Sequence, residues 1–171
     1  MTQKIIGFIG NIGSGKSTSA QYLQSILPNS IVVSFADELK RIAKELGWDG
    51  NKDELGRHFL QNFGELCKRD IDNYIWIKKL DFRIKNELSE YDYIIIDDVR
   101  FNSEHYFIKN NYDCYFIKIL KNKNIFNFLN IFSHISEREL LKLEYDIQIL
   151  NNTKCFNDLF DNIDFISKYF I

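Results

Sequence analysis

Gly10-Asn11-Ile12-Gly13-Ser14-Gly15-Lys16-Ser17 spells a complete G-x-x-x-x-G-K-S pattern, the arrangement by which a backbone wraps a phosphate chain. The glycines let the loop curl until its N–H groups point inward, and a helix that starts directly after it adds its positive end. In that geometry Lys16 reaches the β- and γ-phosphates of a nucleoside triphosphate and Ser17 holds Mg²⁺. A glycine turn of similar spelling would not need the flanks found here: the apolar run Ile5-Ile6-Gly7-Phe8-Ile9 before the loop reads as a buried strand, and 18–27 after it reads as a helix.

A second set of candidates lies farther along. Ile94-Ile95-Ile96-Asp97-Asp98 reads as a buried strand ending in two carboxylates, and in a phosphate-loop protein an acid at a neighbouring strand end points at the metal and its waters. Successive side chains on a strand face opposite ways, so only one of the pair is expected to look into the site. Arg100 follows at once, and its guanidinium suits a bidentate grip on phosphate; a surface pair with Asp98 is the alternative. Ser34-Phe35-Ala36-Asp37 ends another strand in the same manner. Asp37 is either a substrate contact, accepting from a hydroxyl or assisting phosphoryl acceptance, or the N-cap of the helix that follows. Lys40 and Arg41, one turn on, are placed to reach the same anion. His58, His105 and His134 show no spacing for metal binding or nucleophilic catalysis, and surface or packing roles are expected of them.

These groups need a scaffold that brings distant strand ends to one edge. Apolar runs alternate with helical patterns, which predicts an α/β fold with a five-stranded, mainly parallel sheet. Strands are expected at 4–9, 31–35, 93–97, 115–120 and 147–150. Three helical stretches are expected between the second and third strands, at 37–46, 52–68 and 73–88. In the middle one Leu55, Phe59, Leu60, Phe63 and Leu66 are expected to form the buried stripe, with Arg57, Gln61 and Glu65 on another face. In the third, Trp76, Ile77, Leu80, Ile84 and Leu88 form the expected buried line, so Trp76 is either a packing residue or a stacking wall of a pocket. Residues 121–133 mix Asn and Lys with Ile125, Phe126, Phe128, Leu129, Ile131 and Phe132, which predicts a mobile segment whose aromatic side chains pack on closure; a dimer contact through Phe126, Phe128 and Phe132 is the alternative. A helix is expected to restart at Ser136, where Ser136-Glu137-Arg138-Glu139 has the form of a capping box, and an amphipathic helix at 156–170 closes the chain.

Composition narrows the class. The 171 residues, 45% of them hydrophobic with a single proline, suit one folded domain. A formal net charge of −2 argues against general nucleic-acid binding. Cys67, Cys114 and Cys155 are far apart and odd in number, which predicts three buried thiols in a reducing cytosol and no disulfide or metal framework. No apolar run reaches membrane-spanning length and the chain enters a strand directly without a signal peptide, so a soluble cytoplasmic protein is expected.

Taken in order, Gly10–Thr18, Ser34-Phe35-Ala36-Asp37-Glu38-Leu39-Lys40, Leu60-Gln61-Asn62-Phe63-Gly64, Trp76, Asp97-Asp98-Val99-Arg100-Phe101-Asn102-Ser103-Glu104 and His134-Ile135-Ser136-Glu137 resemble the phage-type deoxynucleoside monophosphate kinases. The likeness covers most of the chain. Its Asp-Val-Arg-Phe-x-x-Glu and His-x-Ser-Glu segments are the specific ones; dephospho-coenzyme A kinases share the first segment. The resemblance implies a three-layer P-loop kinase fold that transfers the ATP γ-phosphate to a deoxynucleoside monophosphate with Mg²⁺. It implies a core at 1–35, 92–120 and 144–171, an acceptor-binding helical insertion at 36–90 and a lid at 121–139. ATP would be held along Gly10–Thr18 and by Arg138, and the metal by Ser17 and Asp97. Asp37, Lys40, Arg41, Arg57, Gln61, Trp76, Arg100, Phe101 and Glu104 become candidates for the acceptor pocket, and Lys16, Asp37, Asp98 and Arg100 for catalysis. An arginine is expected near the end of the fourth strand, where this chain has Lys118 and Lys121; Arg138 is the arginine in or near the lid. A phage origin would place the protein in the host cytoplasm. Rival readings are a kinase of another small acceptor, such as dephospho-coenzyme A or phosphomevalonate, and a catalytically silent ATP-binding protein. Intact Lys16, Ser17 and paired acids favour an enzyme.

Overall fold

A computed structural model describes residues 4–51, 53–87, 89–121, 140, 142–151 and 156–170. The strands are β1 (Lys4–Ile9), β2 (Ser30–Val33), β3 (Tyr93–Val99), β4 (Cys114–Lys121) and β5 (Ile147–Asn151). They form one sheet in the order β2-β3-β1-β4-β5, every pair parallel. The helices among the described residues are α1 (Lys16–Ile26), α2 (Ala36–Glu45), α3 (Glu54–Asp70), α4 (Ile75–Glu87), α5 (Asn102–Asn111) and α6 (Phe156–Ser167).

Parallel neighbours cannot be joined by a hairpin, so the sheet is covered by crossover helices on both faces and its central strands are apolar throughout. Ile6, Phe8, Ile95 and Ile117 meet α1 and α6 through Leu23 and Ile163. Ile5, Ile94, Ile96 and Phe116 meet α4 and α5 on the opposite face through Leu80, Ile84 and Ile108. These are the three layers that the resemblance implies, around the parallel sheet that the alternating pattern predicts. The α5 crossover carries no apolar stripe to announce it, because two of its three buried residues are Glu104 and His105. His105 lies with its ring 4.1 Å from that of Phe116 and its Nε2 3.0 Å from Glu144 O, a packing role. Among the described residues, no helix is long and apolar enough to cross a membrane.

Two local features differ from the expected ones and both shape the site. The pairing of β1 with β3 runs Gly7 to Ile96 and then Ile9 to Val99, so β3 carries one extra residue at Asp97-Asp98. This bulge also extends β3 past the expected end at Asp97 to Val99.

The second feature is α3, whose expected buried stripe is largely outside. Leu55 is 80% exposed, Phe59 41% and Leu66 47%, whereas Gly56, Gly64 and Cys67 are buried. A helix that packs on α2 and α4, away from the sheet, gains most from close approach of small residues. At Gly64 a Cβ would stand 3.3 Å from Leu39 Cδ2, and the Gly64 carbonyl accepts a hydrogen bond from Trp76 Nε1 at 3.2 Å. The thiols also differ from expectation: Cys67 is buried but Cys114 is half-buried, and Cys155 lies outside the described residues.

Candidate active site

The loop between β1 and α1 is shaped by its glycines and by what crowds them. Gly10 has φ +156°, and a Cβ there would lie 2.4 Å from Ile119 O. Gly15 caps α1 in the left-handed conformation, and its missing Cβ makes room for the Asn151 amide, which donates to Ser14 O at 2.8 Å. Asn151, at the end of β5, thus braces the loop from across the sheet. No acidic residue stands in the first turn of α1, which leaves the positive helix end for an anion. Lys16 is 7% exposed, and its Nζ donates to Gly10 O at 2.6 Å and to Asn11 O at 2.9 Å, which fixes the ammonium at the mouth of the loop.

The loop opens into a cleft of about 680 Å³ at the carboxyl ends of β1 and β3, where open α/β sheets bind ligands. Asp97 and Asp98, at the bulge, both contribute to its lining, but their carboxylates diverge. Their tasks differ. Ser17 Oγ donates to Asp97 Oδ2 at 2.7 Å. Burial pushes the Asp97 carboxyl above the usual carboxylate range, and the charge of Asp98 adds to the shift. Asp98 is turned to the start of α2, where it accepts from Ser34 Oγ at 2.6 Å, Phe35 N at 2.8 Å and Ala36 N at 3.1 Å. Asp98 therefore holds the amino end of a helix whose Leu39 and Lys40 line the cleft. A hydroxyl and a carboxylate at the loop's end are hard oxygen donors that fit Mg²⁺. Among the described residues no group of three or more His, Cys, Asp or Glu converges on one point, and Mg²⁺ is usually held by one or two carboxylates with phosphates and water.

Across the cleft stand Arg57, Leu60, Gln61, Gly64, Glu65 and Lys68 of α3 and Trp76 of α4, facing Arg100, Phe101 and Glu104. Trp76 is packed, 5% exposed and tied to α3 through Gly64, and it also contributes to the lining. Arg100 makes no ion pair among the described residues, so the alternative of a surface pair with Asp98 is overturned; the three donors from α2's start already occupy that carboxylate. Glu104, 5% exposed, accepts from Arg100 N at 2.9 Å and Phe101 N at 3.1 Å, both through Oε2. Burial, followed by the charge of Asp98, pushes its carboxyl up to about 7.

Two candidates are not brought to the cleft. Asp37 accepts from Ser34 N at 2.9 Å and from Arg83 Nη1 at 2.6 Å, so its carboxylate is spent on the first turn of α2 and an ion pair to α4. The helix starts at Ala36, so Asp37 serves that start from inside the first turn instead of as the cap. Arg41 points outward, held by Glu38 at 2.8 Å and Glu45 at 2.5 Å. Of the two lysines near the end of β4, Lys121 lines the cleft, whereas Lys118 is buried with its ammonium 4.8 Å from the Tyr145 ring centre. Burial lowers the Lys118 pKa. Thr18, Ile12 and Gly13 line the site; Gly10, Asn11 and Ser14 shape the loop behind it. Arg138, His134, the helix at Ser136 and all of the lid expected at 121–139 except Lys121 lie outside the described residues.

Sequence reasoning missed Asn151 and Lys68. Lys68 holds its ammonium 3.7 Å from the Phe101 ring centre and closes the cleft between α3 and the β3 end. Its position at Arg57 plus eleven, three turns along the same face, was the available signal.

Residues 32–163 match the deoxynucleotide monophosphate kinase family, a stretch that begins after the phosphate loop and so does not depend on that widespread motif. A protein of Acanthamoeba polyphaga mimivirus whose name places it in the same family is 32% identical over 181 residues, covering 86% of this chain and 88% of its own. Among solved structures, Thermus thermophilus TT1252 aligns over 100% of both chains with a TM-score of 0.55 at 19% identity. The APS kinase of Mycobacterium tuberculosis, solved with AMPPNP and APS, covers 98% of both chains with a TM-score of 0.54 at 9% identity. Identities this low speak for the fold, which is that of the P-loop kinases.

Proposed function

Because the chain belongs to the deoxynucleotide monophosphate kinase family, we propose that this phosphotransferase moves the γ-phosphoryl group of ATP onto a deoxynucleoside 5′-monophosphate, releasing ADP and the diphosphate. The observation that carries the reading is one continuous cleft with the phosphate loop at one end and the polar face of α3 at the other. Phosphoryl transfer asks little covalent chemistry of a protein; it asks that donor and acceptor be held in line in a space from which water is excluded.

The loop amides and Lys16 hold the β- and γ-phosphates, and Ser17 and Asp97 are the residues that would hold Mg²⁺, which neutralises charge between those phosphates when bound. Arg100 and Arg57 grip the acceptor phosphate, with Lys40 beside them. An acceptor phosphate is already ionised near neutral pH, so no general base is required, and Asp98 serves by anchoring α2. Leu39, Leu60, Trp76 and Phe101 supply apolar walls for base and sugar, and Gln61 offers a donor and an acceptor to a base edge. The helices α2 to α4 form the acceptor-binding insertion in this scheme.

The test is ADP release with dTMP, dGMP, dCMP and dAMP against dephospho-coenzyme A and mevalonate phosphate. A deoxynucleotide should be the fastest acceptor, and Gln61→Ala should reorder the four. Faster turnover of dephospho-coenzyme A, or no stimulation by any monophosphate, would reject the proposal. Asp97→Asn should raise the Mg²⁺ concentration needed for half-maximal rate; an unchanged requirement would remove Asp97 from the metal site.

A further inference from the structure

The loop's own residues do not settle which way the peptide between Ser14 and Gly15 faces. Turning that peptide over changes ψ of Ser14 and φ of Gly15, and glycine accepts either sign of φ, so Gly15 at φ +105° sets no preference. The Ser14 side chain sets none either: its Oγ is buried without a hydrogen-bond partner among the described residues. The tie on this peptide comes instead from the edge of the sheet. Asn151, 8% exposed at the end of β5, donates from Nδ2 to Ser14 O at 2.8 Å. The same nitrogen would stand 2.9 Å from a Cβ on Gly15, so the amide fits there only beside a glycine.

We propose that Asn151 is a positioning residue for the phosphoryl donor: by holding Ser14 O toward β5 it turns the Gly15 N–H into the loop, where that N–H donates to a phosphate oxygen. The link is covalent. In a planar trans peptide the C=O and N–H point in opposite directions, so fixing one fixes the other. Gly15 N makes no hydrogen bond among the described residues, which leaves its proton for a ligand. Lys16 ties the upstream limb of the loop through Gly10 O and Asn11 O, and Asn151 ties the downstream limb through Ser14 O. Before any nucleotide arrives, the amide therefore already points where a phosphate would need it, and binding spends nothing on turning the peptide. The inference rests on the reading that this loop holds the donor's phosphates. Because Asn151 acts through one peptide of the loop, its loss should reach the donor nucleotide and spare the acceptor end.

The experiment is binding of Mg²⁺ and ADP to the intact chain without acceptor, followed by calorimetry and NMR, with circular dichroism on every variant to verify folding. Ser14-Gly15 is the only Ser-Gly pair in the sequence, so serine labelled with ¹³C at the carbonyl and glycine labelled with ¹⁵N leave a single correlated amide signal, that of Gly15. In the wild type this signal should be sharp and should shift when ADP binds. Asn151→Leu keeps the volume and removes the donor. ADP should then bind roughly tenfold more weakly, and the Gly15 signal should broaden or split before ligand is added, as the peptide samples both directions. Asn151→Ala, which cannot clash with Leu159, should repeat the pattern. The deoxynucleoside monophosphate selected by ADP release should bind both variants as it binds the wild type. Unchanged ADP affinity, a Gly15 signal like that of the wild type, or equal weakening of ADP and the monophosphate would each overturn the inference while leaving the kinase reading in place. Failure of the wild type to bind ADP would overturn both.

Discussion

At the phosphate-loop end the ligand-facing surface is largely main chain: the amides of the loop, the start of α1, and one lysine pinned to the Gly10 and Asn11 carbonyls. At the insertion end it is almost entirely side chain, presented by α3 and α4 and by the turn after β3. The first surface is made by a continuous stretch of sequence between a buried strand and a helix. The second is assembled from segments far apart in the chain, and α3 rests on its neighbours through the small residues Gly56, Gly64 and Cys67. Main-chain cradles tolerate little change in residue type and suit a phosphate chain common to all donors. Side-chain walls can be altered one residue at a time, which suits the nucleotide acceptor proposed for that end.

The largest effect should come from the loop. In the proposed transfer Lys16 stands where charge builds on the transferring group, so Lys16→Ala should lower turnover by about 10³-fold or more with the fold intact. Retention of a tenth of wild-type turnover would break the assignment of the loop as the catalytic end.

Glu104 comes next and concerns stability. Its carboxyl is raised from 4.5 to about 7, chiefly by burial, so the folded state favours the protonated form. The stability it contributes is complete below about pH 4.5 and is lost as pH rises through about 7. Glu104→Gln can still accept from the Arg100 and Phe101 amides and carries no charge, so its stability should fall less with pH. By pH 8 the difference should be on the order of 3 kcal/mol relative to acid conditions, read by denaturant titration. Parallel pH profiles would show that the insertion end is better solvated than its burial implies.

Arg100→Lys keeps the charge and loses the fork. Calorimetry should show the monophosphate weakened by about 1–3 kcal/mol with ATP nearly unaffected. Equal losses for both nucleotides would erase the division of the cleft into two ends. The smallest effect tests how firmly the insertion is held. Asp53 caps α3 by accepting from Gly56 N at 2.8 Å, and Asp53→Ala should cost about 1 kcal/mol in thermal unfolding. The monophosphate KM should rise while the ATP KM stays put if, as proposed, α3 contacts the acceptor and not ATP; a matched rise in both would blur the comparison.

Much of this protein was legible in the order of its residues. The strand, loop and helix from Lys4 to Ile26, the parallel sheet, the acids after Ile96 and the three helices between β2 and β3 follow from local spacing, since turn geometry, period and strand burial are short-range properties. Tertiary structure decided the rest. A bulge at Asp97-Asp98 is visible only in the pairing of β3 with β1, and the partners that separate the two carboxylates, Ser17 for Asp97 and the start of α2 for Asp98, come from elsewhere in the chain. A distant partner, Arg83, drew Asp37 away from the cleft, whereas Arg41 was held off by Glu38 and Glu45 one turn away on its own helix, a pairing of short range. The apolar residues of α3 mark a helix with equal strength whether they face a core or solvent, and only the approach of Leu39 and Trp76 to Gly64 settled which side was packed. Periodicity reports that a face exists; what lies against that face depends on residues far away in the chain.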